Sequence, residues 1–207
     1  MKGFNRKTHW ETIYRTKNLD EVSWYQPNPE TSLSFFKKYN IPKNANIIDI
    51  GGGDSFLVDY LLQLGYEHIT VLDISEKAIN KAKKRLGEKA KAVKWIVTDI
   101  IHFKPTKKYD VWHDRAAFHF LTSENDISHY TTIANKNIIK NGLLILGTFS
   151  EKGPKKCSGI EIKQYSEQEL SNQFKTSFKN LECFTSNHQT PFDTTQNFVF
   201  CVFEKIA

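Results

Sequence analysis

Between residues 45 and 149, five short apolar, β-rich runs are separated by longer stretches with helical periodicity, and this alternation restricts the fold more than any other feature of the chain. Parallel strands cannot be joined by a tight turn; each pair needs a long crossover, and a right-handed one returns the chain to the same sheet. The runs lie at 45–50, 68–73, 93–98, 109–113 and 142–149, and helical patterns occupy 55–64, 75–86 and 123–139. Ser75 and Ser123 open the last two, where a hydroxyl can satisfy the first free N–H groups of a helix. The alternation then breaks: a helix from Ser166, with Glu169 completing a capping box, is followed by consecutive strands at 180–187 and 196–204. Turn formers between them, including Pro191 and Asp193, make those strands a hairpin. The sequence therefore predicts a doubly wound, Rossmann-like α/β fold with a mainly parallel seven-stranded sheet and an antiparallel C-terminal strand. At 207 residues, a single domain spanning 1–207 is expected.

Composition removes several functional classes. Hydrophobic residues make up 39% and aromatics 13%, too much of both for a disordered chain. Apolar stretches such as 142–149 fall far short of the roughly 20 residues a membrane span needs, and the first ten residues lack the apolar centre of a signal peptide. A cytoplasmic protein that does not enter a membrane is expected. Cys157, Cys183 and Cys201 include no C-x-x-C pair, so neither a metal site such as zinc nor a structural disulfide is expected. The net charge of +6 gathers partly on Lys81, Lys83, Lys84 and Arg85, which alternate with Ala78, Ile79, Ala82 and Leu86 as the wet and dry faces of one helix. Without aromatics interleaved among those charges, the face does not suit nucleic acid.

Chemistry concentrates where the first strand ends, at Asp49-Ile50-Gly51-Gly52-Gly53-Asp54-Ser55. Glycine lets a backbone approach a ligand closely, and in an open α/β sheet this turn lies in the crevice beyond the strand ends. A dinucleotide fingerprint asks for Gly or Ala where Phe56 stands, and no Lys-Ser or Lys-Thr pair follows as in a phosphate loop. The turn therefore suits a ligand without phosphates. Asp73 ends the second strand, where a carboxylate can accept hydrogen bonds from both hydroxyls of a ribose; its bland alternative is to cap the helix behind Ser75. Asp99 ends the third strand, where an adenine amino group can donate to it.

The set Asp49-x-Gly51-x-Gly53, Asp73 and Asp99 resembles the first three cofactor motifs of class I S-adenosylmethionine-dependent methyltransferases, with Ser55 in place of a frequent third glycine. The terminal hairpin resembles that fold too. More narrowly, His9-Trp10-Glu11-x-x-Tyr14, Val22 to Gln26, Trp112 to Leu121 and Gly147-Thr148-Phe149 resemble a bacterial subgroup that is similar to eukaryotic lysine methyltransferases acting on citrate synthase. The resemblance implies S-adenosylmethionine as cofactor, with Gly51, Gly52 and Gly53 along its methionine and ribose, Asp73 on the ribose, and Ile74, Thr98, Asp99 and Ile100 around adenine. It also implies a helical cap over residues 1–40 on a core of 41–207, with Trp10, Tyr14 and Trp24 facing the sulfonium, a cation that aromatic faces attract.

Methyl transfer from a sulfonium releases a neutral leaving group, so alignment matters more than acid catalysis. An amine acceptor must first lose a proton, which calls for desolvation or a base. Residues beyond the fourth strand are candidates: Asp114 first, then His113 and His119, with the alternative that Asp114 pairs with Arg115 or caps a short helix. Cys157 has no identifiable base and is expected only to edge the acceptor entrance. The segment after strand four lacks the signatures of base-amino, cytosine and arginine methyltransferases, which leaves a protein lysine or a small molecule as acceptor. A nicotinamide-dependent reductase and a non-catalytic binding module are the alternatives from other classes.

Overall fold

A computed structural model describes residues 4–206. The first three residues of the expected cap lie outside that range. Seven strands form one sheet in the order β3-β2-β1-β4-β5-β9-β8: β1 Asn46–Ile50, β2 His68–Asp73, β3 Val93–Val97, β4 Tyr109–Arg115, β5 Ile138–Phe149, β8 Phe178–Gln189 and β9 Thr195–Lys205. The first five run parallel, and β9 inserts antiparallel between β5 and β8. The doubly wound sheet with its C-terminal hairpin follows the sequence reading. A two-stranded ribbon of β6 Lys156–Cys157 and β7 Ile160–Glu161 lies outside the sheet.

Alternating side chains divide the core between two faces, as the period-two geometry of strands requires. Ile47, Val71, Val111 and Ile145 meet Phe35 and Phe36 of α2 (Glu30–Lys38) and Leu57, Val58 and Leu61 of α3 (Leu57–Gln63). Ile48, Trp112, Leu144 and Leu146 meet Ile127 and Tyr130 of α5 (Glu124–Asn137) and Leu170 and Phe174 of α6 (Glu167–Phe174). Burying a side chain of this size stabilises by roughly 1.5–3 kcal/mol. The helix starts follow the capping logic: Ser75 accepts from the Ala78 N–H ahead of α4 (Glu76–Leu86), Ser123 accepts from Asp126 ahead of α5, and Ser166 and Glu169 form the capping box of α6.

Among the described residues no helix is long and apolar enough to cross a membrane. Cys183 and Cys201, however, form a disulfide. This corrects the expectation of unpaired cysteines. They are 18 residues apart in sequence but directly opposite each other in the β8–β9 register, with Cα atoms 4.2 Å apart, near the short end of what a bridge spans. Cysteine spacing carries no information about strand register, so the scatter of the three residues did not reveal the pair.

Candidate active site

The glycine turn leaves β1 with Gly51 at φ +66° and Gly53 at φ +39°. A Cβ on Gly52 would stand 2.5 Å from Asp49 Oδ2, and one on Gly53 would stand 2.6 Å from Asp73 Oδ2. The turn is thus threaded between two carboxylates, and only glycine leaves room for them. Behind it, Arg85 of α4 donates to both Asp59 oxygens (3.1 and 2.9 Å) and to the backbone carbonyl of Ser55 (2.8 Å), pairs with Asp54, and lies 4.4 Å over the Phe56 ring. Phe56, the residue that departs from the dinucleotide pattern, is the platform for this clamp.

A cleft of about 110 Å³ opens beyond the strand ends. Gly51, Asp73, Ile74, Thr98, Asp99 and Ile100 form one side of it. Trp10 and Tyr14 from α1 (Arg6–Thr16) and Trp24 from the following loop form the other. Trp10 lies 5.6 Å from Trp24 and 5.0 Å from Phe120, both edge-on, which makes a continuous aromatic wall. The wall is held down because Glu11 accepts from the first backbone N–H of α4 (2.6 Å), an anion at a helix N-terminus.

Asp73 is buried; its Oδ1 accepts from the Ser75 N–H at 2.7 Å, so it serves as a cap, while Oδ2 points at Gly53. Burial raises its carboxyl to about 7, opposed by the Ser75 hydrogen bond and reinforced by the Asp49 and Glu11 carboxylates. Asp99 accepts from Ile101 N–H at 3.2 Å and pairs with Arg6 at 3.1 Å, an arginine the sequence reading did not single out. Asp49, Gly52 and Ser55 line a second, smaller chamber beneath the turn rather than the main cleft, and Ser55 accepts from the Leu57 N–H at 3.1 Å.

Residues 41–199 match the model of a family described as a methyltransferase domain. The chain belongs to that family. It is 27% identical over 129 residues to the mouse eEF1A lysine and N-terminal methyltransferase, covering 61% of this chain and 18% of that one. It is 27% identical over 136 residues to malonyl-[acyl-carrier protein] O-methyltransferase 2 of Ilyobacter polytropus, covering 65% of this chain and 51% of that one. The chain therefore spans about half or less of the length of these two relatives. The N-methyltransferase NodS of Bradyrhizobium japonicum, solved with S-adenosylhomocysteine, shares the fold at a TM-score of 0.73 and 17% identity, covering 95% of this chain and 98% of that one.

Within this methyltransferase fold, the three residues expected to act on the acceptor do not meet in the cleft. Asp114 is fully buried on the α5 face, where it accepts from the Ala117 and Phe118 N–H groups (2.9 and 3.0 Å) and from the Tyr130 hydroxyl (2.8 Å). Burial outweighs those three donors and raises it to about 6. Its Oδ1 takes up N–H groups at the start of the short helix Phe118–Phe120, as the capping alternative had it, and it does not pair with Arg115; its expected catalytic place is corrected on that ground. His113 is on the opposite face, next to Asp49 in the sheet register. Its Nδ1–H donates to Asp49 Oδ1 at 2.7 Å, and Nε2 is hydrogen-bonded to the Ser32 hydroxyl at 2.9 Å. Both nitrogens are committed, so His113 ties α2 to the strand that carries the glycine turn. His119 is buried against Phe149; its Nδ1 accepts from the Phe149 N–H at 3.2 Å, and burial with the charge of Arg115 depresses it to about 3. A base that weak takes no proton from an ammonium near neutral pH.

The cleft is also lined by Phe120, Phe149 and Phe198, with Arg115 and Ala116; the sequence reading gave none of these a site role, quoting Arg115, Ala116, Phe120 and Phe149 only within resemblance motifs or as a partner of Asp114. Ala116 sits at φ +68°, an uncommon backbone for a non-glycine residue, with its N–H bound to the Gly147 carbonyl at 2.8 Å. Cys157 also lines the cleft, and burial pushes its thiol up to about 11, which leaves it protonated.

Proposed function

We propose that the protein is an S-adenosylmethionine-dependent methyltransferase that works as one domain, with residues up to about 40 closing over a core of 41–207. One observation carries the reading. The chain folds the motif residues of three separate strand ends, Gly51, Asp73 and Asp99, onto one wall of a single cleft and faces them with Trp10, Tyr14 and Trp24. The residues fit the cofactor: glycines leave a cradle that any Cβ would fill, Asp73 Oδ2 is free for a ribose hydroxyl, and the aromatic wall suits a sulfonium. When bound, S-adenosylmethionine supplies an electrophilic methyl group and leaves as neutral S-adenosylhomocysteine.

The acceptor in this reading is a protein lysine, which the likeness to the eEF1A lysine methyltransferase supports. The second reading, a small molecule, is favoured by the malonyl O-methyltransferase relative. With Asp114, His113 and His119 otherwise engaged, desolvation by Phe120, Phe149 and Phe198 is what remains to favour the neutral amine of a lysine. Calorimetric titration with S-adenosylhomocysteine, NADH and NADPH tests the reading. Saturable binding of the first alone supports it, and binding of a nicotinamide cofactor alone replaces it with a reductase. Cofactor binding without methyl transfer to any protein or metabolite fraction from labelled donor makes it a binding module.

A further inference from the structure

Arg115 is a lining residue of both the main cleft and the chamber beneath the glycine turn. Nη1 donates to the Trp24 carbonyl at 3.2 Å, and the Phe198 ring lies 4.8 Å from Cζ. Nε and Nη2, the two nitrogens whose N–H bonds point the same way along one edge of the group, are shut off from water and have no hydrogen-bond partner. Arg115 makes no ion pair among the described residues; the carboxylate nearest in charge effect, Asp49, is taken by His113. Arg6, the other arginine of the cleft, is neutralised by Asp99 and Asp126. A third donor is stranded nearby: His119 accepts through Nδ1, so its proton is on Nε2, which is also buried without a partner.

Leaving a buried charged donor unpaired costs more than almost any other polar defect, and a guanidinium stays protonated at any physiological pH. An unpaired edge of two parallel N–H bonds matches one chemical group, a carboxylate held by both oxygens. We infer that Arg115 is the carboxylate-binding residue of this cleft, gripping either the amino-acid end of the cofactor or a carboxylate of the acceptor. This rests on the methyltransferase reading. Because Nε and Nη2 are covered, the carboxylate reaches this edge by displacing the side chains that cover it.

The test compares S-adenosylhomocysteine with methylthioadenosine, which keeps the adenine, ribose and sulfur but lacks the amino-acid end, on the wild type, Arg115→Met and Arg115→Lys. If the cofactor supplies the carboxylate, Arg115→Met weakens S-adenosylhomocysteine by about ten- to a hundredfold and methylthioadenosine by less than about twofold, with Arg115→Lys between. If the acceptor supplies it, S-adenosylhomocysteine is unaffected, and malonate or benzoate titrated onto the S-adenosylhomocysteine complex binds the wild type but not Arg115→Met. Equal losses for both nucleosides, or no difference between wild type and variant for any of these probes, overturns the inference. A wild type that binds neither nucleoside fails differently: it removes the methyltransferase reading, and the inference falls with it.

Discussion

If Asp73 holds the ribose, as proposed, cofactor affinity should depend on pH in a range where few carboxylates titrate. Burial holds its carboxyl at about 7 in the free protein, whereas the unfolded chain has it near 3.8. The sign follows from proton counting: between those values the folded state holds a proton that the unfolded state has lost. This contribution to stability is fully present below about 3.8 and is lost as pH rises to about 7, by roughly 1.4 kcal/mol for each pH step of one. A ribose held by the ionised carboxylate reverses the preference in the complex. With a pKa of about 7, the ionised fraction rises from about 3% at about pH 5.5 to about 90% at about pH 8, so S-adenosylhomocysteine should bind about thirtyfold more tightly at the higher pH. Calorimetry across that range reads the profile. Asp73→Asn keeps an oxygen for the Ser75 N–H but cannot titrate, so its affinity should be weaker and nearly flat, and it corrects for any titration of the ligand. A flat wild-type profile, or a slope that survives in Asp73→Asn, refutes the assignment of Asp73 to the ribose.

Gly53→Ala should lower S-adenosylhomocysteine affinity at least about tenfold while leaving the fold intact by circular dichroism, because its Cβ would meet Asp73 Oδ2 at 2.6 Å on a left-handed backbone. Ser32→Ala removes the hydroxyl hydrogen-bonded to His113 Nε2 and should lower stability by about 1–3 kcal/mol in urea unfolding; no change would mean that the Asp49–His113–Ser32 chain does not anchor α2. Reduction of the Cys183–Cys201 bridge, followed by alkylation and mass spectrometry, should label two more cysteines than the unreduced protein and lower the thermal midpoint. The loss is at most about 3 kcal/mol for a loop of this length, since the hairpin already holds the strands together.

The sheet was legible because each of its strands is bounded by chemistry that acts locally: glycine and aspartate at the ends, serine caps at the helix starts, and a capping box at Ser166. The gathering of Gly51, Asp73 and Asp99 at one cleft was legible for the same reason. Gly51, Asp73 and Asp99 each occupy the end of a strand, and in a parallel sheet those ends converge by topology alone. What depends on distant pairing was not legible. The Cys183–Cys201 bridge needs the register of a hairpin, and the Arg6–Asp99 pair needs the docking of α1, neither of which has a local signature.

The end of β4 shows how small an error of this kind decides a functional assignment. Ending the fourth strand at His113, as its apolar pattern suggests, puts Asp114 at the rim facing the cleft. The strand runs on to Arg115, paired with Gly147 of β5, so residues 113, 114 and 115 still alternate between faces. Trp112 and Asp114 therefore turn toward Tyr130 and α5, while His113 turns toward Asp49 and α2. Extending the strand by two residues moves the carboxylate into the core and brings the next charged residue to the cleft. That residue is an arginine, which shifts attention from a base that takes a proton to a cation that holds an anion, and the chemistry to look for at this end is recognition of a carboxylate.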